Sequence, residues 1–322
     1  GESCGCHRTA HRGGAPVNTP ESVLRSVFGY ESFRASQRQI IDAVMTGRHC
    51  LVLMPTGGGK SLCYQIPALL CDGLTVVISP LISLMKDQTD ALLGRGVDAA
   101  YINSSLSKAE KLARYENIRN GRYRIIYVSP ERFRKRPFVE SIAGRNISLL
   151  ALDEAHCMSQ WGNDFRPDYA RVGAIRRHCG NPVTIALTAT ATADVQKDIM
   201  AKTGIAPEEF QVFNEGIHRP NLHLAVHEVI DEPEKFALIE QKLRSVRGSR
   251  IVYFNLIKSI ERFAEYLDAH NLRYQIYHGK LERQRRRAVQ QSFMKSSGTV
   301  ILATNAFGMG IDKPDIRMVV HA

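Results

Sequence analysis

From residue 50 onward, the sequence alternates short apolar runs, rich in Val, Ile and Leu, with longer amphipathic stretches. Runs of this kind favour strands that are buried on both faces, and the stretches between them are long enough for crossover helices. The alternation therefore predicts an α/β fold in which mainly parallel sheets are covered by helices. The first predicted strands are CLVLMP at 50–55, LTVVISP at 74–80, RIIYVSP at 124–130, ISLLALDEA at 147–155 and VTIALTAT at 183–190.

The alternation is interrupted after residue 203, where Gly, Pro and Asn punctuate the stretches GIAPEEF and NEGIHRPN. A second series of predicted strands follows: LHLAVHEV at 222–229, RIVYFN at 250–255, YQIYHG at 274–279, TVILAT at 299–304 and RMVVHA at 317–322. We therefore expect a flexible tail over residues 1–20, a first lobe over 21–213 and a second over 214–322. The second sheet is expected to be incomplete, because its last predicted strand runs to the final residue.

Charge and cysteine content narrow the range of partners. The formal net charge is +11 and the isoelectric point is near 9.4, which favours polyanions such as nucleic acids, although a merely basic surface is the alternative. The sequence shows neither a membrane-spanning apolar run nor a signal peptide, so we expect no membrane partner. Seven cysteines without repeated CxxC pairs suit a reducing, intracellular location. The stretch CGCH at 4–7 could hold a metal, but a flexible tail is favoured.

A glycine-rich turn between a strand and a helix is the strongest functional signal. In LVLMPTGGGKSLCYQ, three consecutive glycines let backbone N–H groups and a helix N-terminus point at phosphate oxygens. The lysine after them supplies charge for the β and γ phosphates, and the following serine hydroxyl is a ligand for Mg²⁺. The generic motif has Gly at position 54, where this chain has Met54. The predicted phosphate-binding residues are Thr56, Gly57, Gly58, Gly59, Lys60 and Ser61.

Two carboxylates follow another apolar strand, in LLALDEAH. Asp153 suits a Mg²⁺ ligand, and Glu154 suits a group that activates water. An isolated Asp-Glu pair is weak evidence, because surface carboxylates are common. Ligands of open α/β sheets bind beyond the carboxyl ends of the strands, so a phosphate loop in the same sheet makes the pair a catalytic candidate. We accordingly assign catalytic roles to Lys60, Asp153 and Glu154, with Ser61 and Asp153 holding Mg²⁺.

The motifs MPTGGGKSLCYQ, SPLISLMKDQ, DEAHCMSQWGNDFRP, ALTATA and FGMGIDKP occur in an order that resembles RecQ-type superfamily 2 DNA helicases of the DEAH-box kind. The resemblance extends from Val23 to the end of the chain, and Met54 is usual in that family. It implies two RecA-like P-loop NTPase lobes that hydrolyse Mg-ATP and move 3′ to 5′ along single-stranded DNA to unwind duplexes. It also implies single-stranded and forked DNA as partners and roles in DNA repair and recombination. We expect a monomer that is nuclear in a eukaryote, and cytoplasmic or nucleoid-associated in a bacterium.

The resemblance also implies roles for individual residues of the first lobe. The segment FGYESFRASQ places Tyr30, Arg34 and Gln37 around adenine, although a helix start with a satisfied polar residue is the alternative. His156 would couple the nucleotide site to DNA, as would Thr188 and Thr190, whose hydroxyls could instead cap the next helix. An aromatic-rich loop would contact single-stranded DNA through Trp161, Phe165 and Arg166. Stacking of bases on aromatic side chains contributes about 1–3 kcal/mol per base and tolerates any base sequence. The alternative, Trp161 as a core residue, is disfavoured because its polar neighbours would be costly to bury.

In the second lobe the resemblance implies DNA contacts by Asn255, His278 and Thr304. The sequence departs from the family near the first two, with FNL in place of a Cys-Asn-Ser run and YHGKL in place of YHAGL. The arginines of RQRRR at 283–287 could equally form a solvated helix face. The arginine-finger motif, and the zinc-binding and winged-helix parts often found in the family, would lie beyond Ala322.

Two other functions remain open at the level of the sequence. An RNA-directed remodelling ATPase could use the same scaffold, because nothing in the lobes reads the 2′-hydroxyl decisively. A nucleotide-gated nucleic-acid-binding module with little ATP turnover would also fit. An arginine finger raises the rate of hydrolysis by a factor on the order of 10³ to 10⁵, and its motif would lie beyond Ala322.

Overall fold

The computed structural model describes residues 19–160, 165–216, 221–307, 311 and 313–322. The chain forms two compact units, the first ending at Asn221 and the second beginning at Leu222. The helices and strands of the first unit are α1 Pro20–Ser26, α2 Gln37–Met45, β1 His49–Leu53, α3 Leu62–Leu70, β2 Leu74–Ile78, α4 Ile82–Leu93, β3 Ala99–Ile102, α5 Lys108–Arg119, β4 Ile125–Val128, α6 Arg136–Ile142, β5 Ile147–Leu152, α7 Val172–His178, β6 Val183–Thr188, α8 Ala193–Thr203 and β7 Phe210–Asn214.

The first unit is built on a seven-stranded parallel sheet with the strand order β3-β4-β2-β5-β6-β1-β7. All five strands predicted from apolar runs are present. Two more strands, β3 and β7, lie at the edges of the sheet. β7 is partly exposed and lacks a continuous apolar run, whereas β3 is apolar and largely buried but only four residues long. This is why the sequence pattern missed them.

Two hydrophobic clusters cover the opposite faces of this sheet. Alternate residues of the central strands, such as Leu51 and Val52 of β1, belong to different clusters. One cluster packs β-strand residues against α5 to α8, and the other packs them against α1 to α4. Burial on both faces explains the near-continuous apolar strands, and it leaves the strand ends as the places where polar side chains can gather.

The second unit contains a smaller parallel sheet with the strand order β11-β8-β10-β9. Two clusters, one containing Phe263 and the other Phe293, form its core. Among the residues that the structure describes, neither unit has a helix long and apolar enough to cross a membrane. The elements of the second unit are α9 Glu232–Ser245, β8 Ser249–Tyr253, α10 Ile257–Ala269, β9 Gln275–Tyr277, α11 Arg283–Lys295, β10 Val300–Ala303 and β11 Ile316–His321.

The strand predicted at 222–229 is wrong. The segment forms neither a strand nor a helix, and the side chains of Leu224 and Val226 are 89% and 93% exposed. An alternating pattern becomes a strand only where another strand offers free N–H and C=O groups to pair with it. The segment has no such pairing within the described part of the chain.

The boundary between the two units also differs from the one predicted after residue 213. The edge strand β7 pairs with β1 up to Asn214, and the Glu215 N–H donates to the Leu53 carbonyl at 3.0 Å. These contacts keep the end of β7 in the first unit, and the division falls between Asn221 and Leu222. Residues 1–18, most of the predicted tail, lie outside the described residues.

Candidate functional site

The phosphate loop occupies the predicted position between β1 and α3. Gly57 and Gly59 adopt φ values of 82° and 81°, a left-handed conformation that favours glycine. Gly58 is constrained differently, because a Cβ there would lie 2.7 Å from Cγ of Met54. Met54 is fully buried beneath the loop. The departure from the generic motif is therefore a packing feature, in which the methionine side chain supports a close glycine backbone.

The loop offers donors on its concave side. Among the described residues, the backbone N–H groups of Gly57, Gly59 and Lys60 have no hydrogen-bond acceptor. The Lys60 ammonium donates to the Met54 carbonyl at 3.2 Å, and half-buried Ser61 is the N-cap residue of α3. Unpaired N–H groups, an ammonium and a helix N-terminus together form a site for phosphate oxygens.

Asp153 follows β5, two strands away from β1 in the same sheet. Burial and the neighbouring Glu154 carboxylate raise the pKa of Asp153 from 3.8 to about 6, although the Lys60 ammonium opposes this rise. Its oxygens contact the Glu154 N–H at 3.1 Å and the Ser79 hydroxyl at 3.4 Å. A half-buried carboxylate with so few donors around it is suited to a cation.

Glu154 has a φ of 49°, which is unusual for a residue with a side chain. Such backbone conformations persist where the surrounding structure fixes them. Here the hydroxyl of fully buried Tyr169 bonds the carbonyls of Ile78 and Asp153, each at 3.0 Å. It thereby ties the ends of β2 and β5 together. The sequence analysis missed Tyr169, because its hydrogen bond to the Ile78 carbonyl spans 91 residues and no local pattern predicts such a contact.

His156 lies beside the acidic pair and makes a hydrogen bond to the next strand. Its Nδ1 is 3.0 Å from the Thr188 hydroxyl and 3.4 Å from a Glu154 oxygen. The Thr188 hydroxyl in turn donates to the Thr190 carbonyl at 3.0 Å. A hydroxyl has one proton to donate, so Thr188 accepts from Nδ1, which therefore carries the proton. The structure thus connects the three predicted coupling residues with Glu154.

Of the three candidate adenine residues, Gln37 contacts the phosphate loop. Gln37 is buried, and its amide donates to the Gly58 and Gly59 carbonyls at 3.2 and 3.1 Å. Its oxygen accepts the Arg34 N–H at 2.8 Å, while Tyr30 is 45% exposed. Gln37 therefore bridges the segment before α2 to the loop in this structure, and its contact with a base stays a prediction.

The structure describes only part of the aromatic-rich segment from Cys157 to Pro167. Trp161 lies outside the described residues, whereas Phe165 and Arg166 are half-buried. Arg166 donates to the Pro80 carbonyl at 2.8 Å and joins the loop to the stretch after β2. The Lys202 ammonium lies 5.6 Å from the ring centre of Phe165.

Comparison with known proteins shows the family to which the chain belongs. Residues 34–199, just over half of the chain, match the DEAD/DEAH box helicase family, and residues 234–322 match the helicase conserved C-terminal domain. The chain belongs to the DEAD/DEAH box helicase family. The acidic pair, the phosphate loop and the Thr188 network described above all lie within or beside the first match.

The predicted resemblance to RecQ-type helicases is confirmed. The chain is 43% identical to ATP-dependent DNA helicase RecQ of Pasteurella multocida over 94% of this chain and 47% of that protein. It is 43% identical to RecQ of Bacillus subtilis, covering 95% and 51%, and 41% identical to ATP-dependent DNA helicase Q1 of Rattus norvegicus, covering 93% and 49%. The chain therefore spans about half the length of these relatives.

Solved structures agree on the fold, which consists of two RecA-like units with parallel sheets. The helicase MrfA bound to DNA and AMPPNP matches with a TM-score of 0.72 at 17% identity, over 95% of this chain and 47% of that chain. Yeast Dbp5 bound to RNA and ADP BeF3 matches with a TM-score of 0.69 at 17% identity, over 94% and 78%. At such identity the likeness shows the fold of a DEAD/DEAH box helicase and nothing about ligands.

In the second unit of this helicase core, the three candidate DNA residues follow neighbouring strands. Asn255 follows β8, His278 follows β9 and Thr304 follows β10, so all three lie at the carboxyl edge of one parallel sheet. The Thr304 N–H donates to the Tyr277 carbonyl at 3.2 Å. Asn255 is exposed, and Nδ1 of His278 is buried with no partner among the described residues.

The arginine run at 283–287 begins α11. Arg283, Arg285 and Arg287 are exposed and Arg286 is half-buried. None of the five cysteines within the described residues forms a disulfide, and Cys4 and Cys6 lie outside those residues. Burial raises the pKa of Cys50 and Cys179 to about 12, which makes these thiols unreactive.

Proposed function

We propose that this chain is the motor core of an ATP-dependent DNA helicase. One observation carries the proposal: the phosphate loop and the Asp153–Glu154 pair meet at the carboxyl edge of one sheet in a DEAD/DEAH box helicase. The relatives that match nearly the whole chain are named ATP-dependent DNA helicases. Their names support DNA as the substrate, and the net charge of +11 supports a polyanionic partner.

The first unit supplies the groups that bind ATP. The unpaired N–H groups of Gly57, Gly59 and Lys60 cradle the phosphates, and the Lys60 ammonium leaves the Met54 carbonyl to balance their charge. The Gly58 N–H donates to the Pro55 carbonyl at 3.0 Å, so Gly58 shapes the turn that Thr56 enters. Lys60 can make this exchange at low cost, since a single hydrogen bond to a carbonyl holds it.

The residues present also fit Mg²⁺. This ion prefers oxygen ligands and binds through one or two protein groups together with substrate phosphates. Asp153 and Ser61 offer such a pair, and the raised pKa of Asp153 reflects a desolvated carboxylate whose charge the Lys60 ammonium only partly compensates. When bound, Mg²⁺ neutralises charge on the phosphates. Among the described residues no cluster of three His, Cys, Asp or Glu side chains competes as a metal site.

Glu154 is the proposed group that orients and deprotonates the attacking water. Its left-handed backbone turns it away from the direction of β5, next to Asp153 and His156. The hydrogen bonds from His156 to Thr188 and from Thr188 to Thr190 give this carboxylate a physical link to the start of α8. We propose that this network couples hydrolysis to movement along DNA.

Around adenine we propose Tyr30, Arg34 and Gln37. Gln37 would release the Gly58 and Gly59 carbonyls when a base offers it both a donor and an acceptor. This exchange would link base recognition to the conformation of the phosphate loop, and it would favour ATP over GTP.

For DNA we propose that Trp161, Phe165 and Arg166 contact single-stranded DNA from the first unit, and that Asn255, His278 and Thr304 contact it from the second. Aromatic stacking tolerates any base sequence, which a translocating motor needs. We further propose 3′-to-5′ movement, forked DNA as the unwound substrate, a monomeric motor, an intracellular location and work in DNA repair and recombination.

The proposal is tested by measuring ATP hydrolysis with single-stranded DNA, with RNA of the same sequence and with neither. We expect DNA to stimulate hydrolysis more than RNA does. Strand separation on duplexes with a 3′ or a 5′ single-stranded tail then tests the direction, with the 3′-tailed duplex preferred. Equal stimulation by RNA would contradict the proposed substrate, and preference for the 5′ tail would contradict the proposed direction.

A further inference from the structure

The helix that follows the phosphate loop begins at Ser61 without using the serine hydroxyl as a cap. Ser61 is the N-cap residue of α3, yet within the described residues of that helix no backbone N–H donates to its side chain. A serine at this position usually accepts such a bond. The half-buried Ser61 oxygen therefore keeps its lone pairs free of the helix backbone.

The Ser61 hydroxyl instead contacts Tyr64, one helical turn later. Side chains three residues apart on a helix share a face, and they lean toward the N-terminus. Tyr64 is 1% exposed, and its hydroxyl forms hydrogen bonds with the Ser61 and Tyr127 side chains. Burial raises the pKa of Tyr64 well above its ordinary value of 10, so the hydroxyl keeps its proton and can both donate and accept.

Tyr127, from the neighbouring strand β4, holds Tyr64 in place. The two rings pack edge to face with their centroids 6.4 Å apart. The Gln65 amide nitrogen donates to the Tyr127 hydroxyl oxygen at 2.9 Å and to the Gln88 side-chain oxygen at 3.0 Å. Tyr127 and Gln65 are both buried. These bonds fix the position of the Tyr127 oxygen and, through it, the position of the Tyr64 hydroxyl.

The tyrosine pair also lies close to Asp153. Burial is the main reason that the pKa of Tyr127 rises to about 12, and the Asp153 carboxylate adds to the rise. The same carboxylate adds to the effect of burial on the pKa of Tyr64. Because such an interaction weakens with distance, both hydroxyls lie within electrostatic range of the carboxylate at the end of β5. The pair is therefore near both residues proposed to hold Mg²⁺.

The direction of the hydrogen bonds determines where the Ser61 proton points. Apart from the larger effect of burial, the bond with Ser61 lowers the pKa of Tyr64 and the bond with Tyr127 raises it. Ser61 is therefore the donor in the first bond, and Tyr64 is the donor in the second. A serine oxygen that binds a cation offers a lone pair and must turn its proton away from the ion. A fixed acceptor such as the Tyr64 oxygen favours that orientation.

We propose that Tyr64 and Tyr127 are positioning residues that turn the Ser61 hydroxyl proton into the protein interior, so that the Ser61 oxygen is free to bind Mg²⁺. Both are almost fully buried, so they act through Ser61 and not by contact with the nucleotide. The proposal rests on the proposed role of Ser61 as a Mg²⁺ ligand. Neither tyrosine stands out in the sequence, because Tyr127 lies within an apolar strand and Tyr64 within the first turn of α3.

The test measures the affinity of the full chain for AMPPNP by calorimetry, once with Mg²⁺ and once with EDTA. The ratio of the two affinities isolates the contribution of the ion. We expect Tyr64→Phe, which removes the hydroxyl and keeps the ring, to lower this ratio about tenfold, the effect of losing one charge-assisted hydrogen bond. The affinity measured in EDTA should stay at the wild-type value, which a merely structural role of the hydroxyl would not predict.

Ser61→Ala shows whether Tyr64 acts through the serine. This change should lower the ratio by itself. Adding Tyr64→Phe to Ser61→Ala should lower the ratio no further, because the hydroxyl to be oriented is already gone. Tyr115→Phe is the matched control, since Tyr115 is a buried tyrosine of the core cluster on the opposite face of the sheet. It should leave the ratio at the wild-type value.

The outcomes separate this inference from the proposed function. A wild-type ratio in Tyr64→Phe, an equal loss of affinity with Mg²⁺ and with EDTA, or a further loss in the double variant would overturn the positioning role and leave Ser61 as a ligand. A wild-type ratio in Ser61→Ala would overturn the proposed role of Ser61 and this inference with it.

Tyr127→Phe keeps the test open if thermal unfolding shows that Tyr64→Phe does not fold, because it leaves α3 unchanged. Without its acceptor, the Tyr64 proton can turn toward Ser61, so we expect the ratio to fall about threefold. A wild-type ratio in Tyr127→Phe would contradict the part assigned to Tyr127.

Discussion

At the scale of single residues, Asp153 shows that a group suited to catalysis can lower the stability of the folded protein. Asp153 is half-buried beside Glu154, and its folded-state pKa of about 6 lies above the ordinary value of 3.8. The folded protein therefore retains a proton that the unfolded chain releases between these two values. The contribution to stability is present at low pH and is lost as the pH rises through this window. A charged Asp153 is thus a cost that the apo protein bears for its chemistry.

We predict that Asp153→Asn stabilises the nucleotide-free protein at neutral pH by on the order of 2 kcal/mol, because a neutral amide is not penalised by burial. Urea unfolding in the presence of a chelator measures the effect. The gain should shrink at a pH near the lower end of the window, where the wild-type carboxyl is protonated. A gain that did not depend on pH would show that the charge of Asp153 is not its origin.

The glycines of the phosphate loop allow a matched comparison. Both Gly57 and Gly59 have a positive φ, so an alanine at either position costs roughly 1 kcal/mol of backbone strain. A Cβ at Gly59 would also lie 2.3 Å from Nε2 of Gln37, whereas a Cβ at Gly57 meets nothing within 4 Å. Buried Gln37 cannot move aside without giving up its bonds to the Gly58 and Gly59 carbonyls.

We therefore predict that Gly59→Ala lowers the free energy of unfolding by roughly 1 to 2 kcal/mol more than Gly57→Ala does. Gly57→Ala introduces only backbone strain, whereas Gly59→Ala also displaces Gln37. Equilibrium urea denaturation of the two variants measures the difference. Equal destabilisation would mean that the Gln37 bridge contributes nothing to the loop.

Some residues of the site were predictable and others were not. The sequence predicted the phosphate loop, Asp153 and Glu154 as candidates because each combines a strand end with a characteristic local chemistry, and the structure places them at the ends of β1 and β5. Ser79, Tyr169 and Lys202 carry no such signal, because their hydrogen-bond partners come from distant strands and loops that only the folded chain brings near.

At the scale of elements, apolar runs predicted the central strands well and the edges poorly. A run such as LTVVI reports burial on both faces, which only a central strand experiences. The strand β7 is partly exposed and lacks that pattern, and the apolar strand β3 is only four residues long. The segment at 222–229 was predicted as a strand and does not form one. An alternating pattern indicates a preference for strand, but it does not show that a partner strand is present.

We predict that replacing both Leu224 and Val226 with serine changes the free energy of unfolding by no more than about 0.5 kcal/mol, because exposed side chains lose little on truncation. The same change should reduce self-association, since a stretch of exposed apolar residues promotes it. Thermal unfolding and light scattering measure the two effects. A marked loss of stability would show that this segment packs against the remainder of the protein in solution.

At the scale of the whole molecule, the sequence predicted two α/β units of similar architecture, and the structure has them. The division lies at Asn221, later than predicted, because the local break in pattern precedes the last residues that contact the first sheet. The groups proposed to bind nucleotide all belong to the first unit, and the second has its own row of polar residues at strand ends. This distribution suits a motor in which one unit binds phosphates and both contact a polyanion.

The central claim is that the first unit binds ATP through Lys60 and uses Glu154 to activate water. The most direct measurement compares equilibrium ATP binding with DNA-stimulated hydrolysis in Lys60→Ala and Glu154→Gln. The account predicts that Lys60→Ala loses both, and that Glu154→Gln retains binding while hydrolysis falls by about 10²-fold or more, as expected when a general base is removed. Hydrolysis at the wild-type rate in Glu154→Gln, or undiminished ATP binding in Lys60→Ala, would contradict it.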